Sequence, residues 1–410
     1  MRLPRIHIPH PSVLLAGLAT AMTIMPDQAL YVILPVPGWQ ALLGLSKIDV
    51  GILLSTNRFI RLLTNHWAER LVHRVNATFL FVSILVLGAW VAMMYGTWPI
   101  MWVMLTGRAL WGLCWSVIRQ VGIMTSIDTA ESGKSASVIG FYDGLGRCGS
   151  IVGMLIAGWL CSKPDMVAWR NCFWLFAVVS LLAAIPGGLA RRGVEEHPSE
   201  FRKTRVSAPT DHLYSLLICG FVTGCVGTGM IVSTLGAVLA RGLGDYITIG
   251  ALVIGVTAVN GWMLALRYGI LSLGSPVLGS LVDRIGDRRI AFIFFCVGTS
   301  ILGAVAIISL VANALMTLIL LVLVMAFFVC GTGLMVALSS EAGGYGSKTF
   351  SWYVTAFDFG TASGPMLAWI LLDKLEAPVA MFAVCTAFYI GGAFFALDRL
   401  RRQVSTSGRT

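Results

Sequence analysis

From residue 11 to residue 397 the chain is a succession of apolar blocks, each about one membrane-crossing helix long and each interrupted by a short polar or charged stretch. A helix needs roughly 20 apolar residues to cross the hydrocarbon core of a bilayer. The breaks therefore predict twelve helices, near 13–35, 48–68, 76–97, 99–122, 136–160, 170–189, 214–239, 260–282, 290–311, 313–338, 350–372 and 377–397. One long polar stretch stands out, ARRGVEEHPSEFRKTRVSAPTDHL at 190–213, with mixed charges and two prolines. It separates six helices from six, which predicts an N-terminal bundle (1–189), a cytoplasmic linker (190–213) and a C-terminal bundle with a short cytoplasmic tail (214–410). Residues 1–21 imitate a secretion signal, with Arg2 and Arg5 before an apolar run and Ala19-Thr20-Ala21. The apolar stretch continues to Pro35, so an uncleaved first span is the expectation.

Composition turns this pattern into a solvent. Only 12 % of the residues are charged, about half the share of a soluble domain, and mean hydropathy is +0.84. So few charges cannot cover the surface of a 410-residue soluble fold. A soluble enzyme, a nucleic-acid-binding domain and a single-anchor protein are all excluded. The formal charge of +10 has a topological origin. With both termini cytoplasmic, 18 basic residues fall in inner segments and 5 in outer loops, the positive-inside asymmetry. The expected location is a bacterial-type inner membrane. Nine cysteines show no CxxC and no metal-ligand spacing; Cys161 and Cys172 flank one outer loop and would bridge only in an oxidising compartment.

The two halves share markers at a constant offset. Asn65-His-Trp-Ala-Glu69-Arg70-Leu-Val-His73-Arg74 follows the second span, and Gly279-Ser-Leu-Val-Asp283-Arg284-Ile-Gly286-Asp-Arg288-Arg289 follows the eighth. Glu69 and Asp283 are 214 residues apart; Asp143 of the fifth span and Asp358 of the eleventh are 215 apart. Two markers whose spacings agree to within one residue indicate a duplicated six-helix unit. Further patterns are Asp27 eight residues before Pro35, Arg108-Ala-Leu-Trp-Gly112, and Gly360-Thr-Ala-Ser-Gly364-Pro365, the last poorly matched at 149–153 where Ser150 replaces the proline. In these residues the chain resembles the major facilitator superfamily along essentially its whole length. That resemblance implies an all-α integral membrane fold of twelve helices in two pseudo-symmetric bundles, and a non-enzymatic secondary transporter working by alternating access.

Charged loops and buried charges supply the candidate chemistry. A carboxylate in a short loop beside a helix N-terminus can pair with arginines at the other helix ends. Glu69, Arg70, Arg74, Asp283, Arg284 and Arg288 are therefore expected to latch the inner face. Inside the spans, each charge costs about 2.5–3.5 kcal/mol on insertion scales, so those present should face a cavity or a partner. At 1.5 Å per residue, Arg58, Arg61, Arg108, Asp143 and Asp358 lie about 12–16 Å deep. With Asn57, one turn from Arg61, and Arg147, one turn from Asp143 and placed either to neutralise it or to share the site, they are the expected substrate site. Asp358 has Ala362 four residues on and is expected to be unpaired, which suits proton coupling; Asp27 is the second candidate. Arg267 and Asp27 fall in the outer third of their spans, and Arg119 is expected to reach the inner surface. The six histidines are read as lying in termini or loops.

Six basic residues (58, 61, 108, 119, 147, 267) face three acids (27, 143, 358) within the spans. Guanidinium groups bind carboxylate and phosphate bidentately, so the expected substrate is a small organic anion. Trp111, Trp115, Tyr142, Phe357 and Phe359 are available to pack its body or to pack helices. The expected function is proton-coupled transport, with export favoured by the GxxxGP pattern. An anion-importing symporter or exchanger is the alternative, and a non-transporting sensor or intramembrane enzyme the third reading. No cofactor, no metal and no nucleic-acid partner are expected. The proton gradient is the expected energy source, the bilayer and a small molecule the partners, and the monomer the working unit.

Overall fold

The computed structural model describes residues 10–72, 74–130, 135–192, 194, 210–249, 252–375 and 377–407. The first half comprises α1 (Pro11–Ile33), a short α2 (Pro37–Leu43), α3 (Lys47–Val72), α4 (Ala77–Thr97), α5 (Met101–Asp128), α6 (Ser135–Leu160), α7 (Met166–Leu182) and α8 (Ala184–Ala190). The second comprises α9 (Thr210–Thr223), which continues through a π-helical segment (Gly224–Ile231) into α10 (Val232–Leu243), a hairpin of β1 (Tyr246–Ile249) and β2 (Leu252–Gly255), then α11 (Val256–Ile285), α12 (Asp287–Ile308), α13 (Ala314–Gly344), α14 (Ser347–Leu375) and α15 (Pro378–Ser407). Among the described residues nine helical stretches have the length and apolarity to cross a membrane. The other long helices, α3, α6 and α14, are 26, 26 and 29 residues and carry the charges that lower their hydropathy.

The halves pack alike. In the first, α1 lies on α6, α3 on α5 and α4 on α7; in the second, the π-helical segment lies on α14, α11 on α13 and α12 on α15. Across the halves α3 meets α14 and α6 meets α11. Most of the polar stretch between the halves lies outside the described residues. Several helices run longer than the hydropathy blocks: α5 continues to Asp128 and α13 to Gly344, because polar faces there turn into the protein rather than into lipid. His66 belongs to α3 and His212 to α9, so these two are helical rather than in loops. The short α2 and the β-hairpin lie in stretches that read as outer loops.

Inter-half contacts gather at one end. Lys47 Nζ donates to Leu372 O (3.2 Å), Met366 N to Ser55 Oγ (3.1 Å) and Asn260 Nδ2 to Val32 O (2.9 Å). A Cβ on Gly158 would press on Ala258 at 3.2 Å, and one on Gly261 would strike Met154 O. The hairpin covers this end, with Gly255 against the carbonyl of Ser162. Trp39 of α2 donates to Cys161 O (3.1 Å). At the opposite end Arg70, Arg74, Asp283 and Arg284 are exposed, and among the described residues no hydrogen bond joins the two halves there. One end of the bundle is sealed and the other is parted.

Candidate functional site

The deepest polar cluster surrounds Asp27. Arg108, which has no solvent exposure, donates Nη1 to Asp27 Oδ1 and Nε to Leu53 O (2.8 Å). Asn57 Nδ2 also donates to Asp27 Oδ1 (3.1 Å), and Gln28 Nε2 to Oδ2 (3.0 Å). The local reason is close packing of α5 on α3: a Cβ on Gly112 would strike Asn57 O, so only glycine lets Arg108 reach under α3 to α1. A buried guanidinium with a carboxylate and a carbonyl is neutralised and hydrogen-bonded. This corrects the placing of Arg108 in the substrate site: it stands behind the wall, held by Asp27.

In front of this cluster lies a cavity of about 550 Å³ between the halves, to which α1, α3, α5, α6, α11, α13 and α14 all contribute lining residues. Asn57, Arg58, Arg61, Asp143, Arg147 and Asp358 line it together, and Asp27 lines it with them instead of lying apart in the outer third of its span. Arg119 lines it too, instead of reaching the surface. Trp111, Trp115, Tyr142 and Phe357 contribute aromatic wall. Phe359 instead packs between Phe59 and Phe221, with ring centroids 6.2 and 5.8 Å away.

Arg58 and Arg61 are tied across the halves. Pro365 has no N–H to give to Thr361 O, four residues back in α14. Arg58 Nη1 takes that freed carbonyl at 3.2 Å, while its Nε donates to Tyr31 OH at 3.1 Å. The Arg58 guanidinium lies 5.3 Å from the Tyr31 ring centroid. Arg61 Nη2 is 3.9 Å from Asp358 Oδ2, and its guanidinium lies 5.9 Å from the Trp115 ring. Asp358 is therefore not the unpaired carboxyl expected from its own helix; its partner comes from the other half of the molecule. Asp143 and Arg147, a candidate pair by spacing, form no ion pair within 4 Å among the described residues. Arg267 sits apart, donating to Thr228 Oγ1 (3.0 Å) in a second cavity of about 40 Å³ beside Phe328.

Among the described residues the expected inner latch is not engaged in this conformation. Arg70, Arg74, Asp283 and Arg284 are exposed, and the Glu69 side chain lies outside the described residues. Arg288 is buried, with Nε donating to Glu341 Oε1 at 2.6 Å. In the first half Arg191 Nη1 pairs with Asp128 Oδ2 at 2.9 Å. Neither Asp128 nor Glu341 figures in the loop motif, yet a signal for them exists, since they are 213 residues apart, within two residues of the 214 and 215 of the other markers. Each of these two pairs fastens helix ends within one half. Cys161 and Cys172 are free thiols.

Comparison with known proteins agrees with this architecture. No curated protein matches the sequence. Among solved structures, a bacterial homologue of the human lysosomal transporter Spinster, in an inward-facing and occupied conformation, superposes with a TM-score of 0.77 at 14 % identity, over 95 % of this chain and 96 % of that one. The same homologue, inward-facing and unoccupied, gives 0.74 at 14 % identity, over 94 % and 97 %. The nucleoside transporter NupG gives 0.71 at 9 % identity, over 94 % and 98 %. At these identities the likeness is one of fold. The family model of the Major Facilitator Superfamily matches residues 16–260; the chain belongs to that superfamily, and is a multi-pass, non-enzymatic membrane transporter.

Proposed function

We infer that the central cavity carries a small organic anion, driven by protons through alternating access. The observation that supports this most is the cavity's charge. Arg58, Arg61, Arg119 and Arg147 face Asp27, Asp143 and Asp358, and Asp27 is already neutralised by Arg108 from behind. Four guanidinium groups thus meet two carboxylates that remain, and an anion restores the balance. Positive-inside topology puts the parted end in the cytoplasm, so this conformation is the one that opens inward. Substrate and bilayer are the partners of a carrier working as a monomer without a cofactor.

Coupling rests on Arg61 and Asp358. An anion that takes the Arg61 guanidinium displaces the Asp358 carboxylate from its partner. By reciprocity a proton on Asp358 frees Arg61 for the anion. Anion and proton favour each other, which is the linkage of a symporter. This observation favours the importing alternative over the export suggested by the GxxxGP pattern. Proteoliposomes with an imposed pH gradient test it. A symporter concentrates the anion in the alkaline compartment and an antiporter in the acidic one. Asp358→Asn should abolish gradient-driven accumulation while leaving anion exchange intact. If the Asn variant still accumulates substrate and Asp27→Asn does not, coupling belongs to Asp27.

A further inference from the structure

Polar groups without partners are rare in protein interiors, and each asks for an explanation. Among the described residues, three such atoms belong to side chains that line the central cavity: Asn57 Oδ1, Arg61 Nε and Tyr353 OH. The Asn57 oxygen is the informative one. Its amide orientation is fixed chemically, because only the NH₂ end can face the Asp27 carboxylate, to which Nδ2 donates at 3.1 Å. The carbonyl end is then a pure acceptor, left without a donor on a side chain only 3 % exposed. One turn further along α3, Arg61 Nε is a pure donor, also without a partner.

A fully ionised carboxylate or phosphate offers acceptors only. It can satisfy Arg61 Nε and the free edge of Arg58, but it can give nothing to Asn57 Oδ1. We propose that the transported anion carries a hydrogen-bond donor next to its acidic group, of the hydroxy-acid kind, with the acid held by Arg58 and Arg61 and the hydroxyl donating to Asn57 Oδ1. The inference rests on the anion reading above and narrows it. A site built to receive a hydroxyl rejects the analogue without one, since its buried polar atom then stays unpaired.

The test uses matched probes that differ by one hydroxyl: lactate and propionate, malate and succinate, citrate and tricarballylate. Binding to the purified full-length protein in detergent is measured by calorimetry. The hydroxylated member of a pair should bind roughly tenfold more tightly, and Asn57→Leu should bring the two members to nearly equal affinity. Should the leucine variant fail to fold, the wild-type ratio still decides. Equal affinities within every pair would overturn the inference and leave the anion reading standing. If no acid binds while neutral or cationic solutes do, the anion reading falls and this inference with it.

Discussion

At the residue scale the cavity's arginines divide by what already holds them. Arg108 is fully buried against Asp27 and a backbone carbonyl, so its loss strands a carboxylate in the interior. Breaking a buried pair from one side costs about 3–5 kcal/mol. Arg108→Leu should therefore lower thermal stability of the purified protein by that order, whatever it does to transport. Arg61 is partly exposed to the cavity, lies over Trp115, and has one loose ionic partner at 3.9 Å. Arg61→Lys conserves its charge but loses the planar fork and much of the stacking. Stability should be nearly unchanged and anion affinity should drop roughly tenfold. An Arg61→Lys protein that binds anions as tightly as wild type would move the site to Arg119 and Arg147.

At the scale of helices, glycines decide where spans touch. A Cβ on Gly149 of α6 would overlap the backbone of Ala21 in α1, and one on Gly364 of α14 would overlap Cys225 O in the π-helical segment. These glycines are 215 residues apart and make the same contact in each half. The position matching Gly360 is Leu145, and there the gap is restored from the other helix, because Gly17 of α1 makes room for the Leu145 side chain. The motif that looks degraded in the first half is thus compensated across the interface. Gly149→Ala should cost about 1–3 kcal/mol by overpacking. Gly140→Ala in the same helix meets nothing within 4 Å and should be neutral or slightly stabilising. Thermal unfolding of the two variants compares them directly.

At the scale of the molecule, the sealed end is tied by α3 on α14 and α6 on α11, while the loop charges at the parted end hang free. If these charges form the expected latch, Asp283 and Arg284 gain partners when the halves close there and stabilise the opposite state. Asp283→Asn should then raise the share of molecules parted at this end. A cysteine at Gly140, introduced with exposed Cys148 and Cys296 replaced, reports this as faster thiol labelling. A labelling rate unchanged by Asp283→Asn would show that the loop carries topology charge and no latch.

The sequence by itself determined the number and order of the spans, the duplication, the excess of buried arginine and several of the charged residues that line the cavity. Each of these follows from one-dimensional regularities: block length matches membrane thickness, repeat markers keep a constant offset, and a charge in an apolar block must turn inward. The pairings were decided by tertiary structure alone. Asp27 and Arg108 are 81 residues apart, and Arg61 and Asp358 lie in different halves. Whether two such groups meet depends on the rotation and depth of helices packed side by side, which glycine contacts and the Pro365 carbonyl set. Spacing along one helix misjudged both carboxylates for that reason. It offered Asp143 the neighbour Arg147, with which it forms no ion pair here, and left Asp358 alone, although an arginine from the other half stands within 4 Å of it.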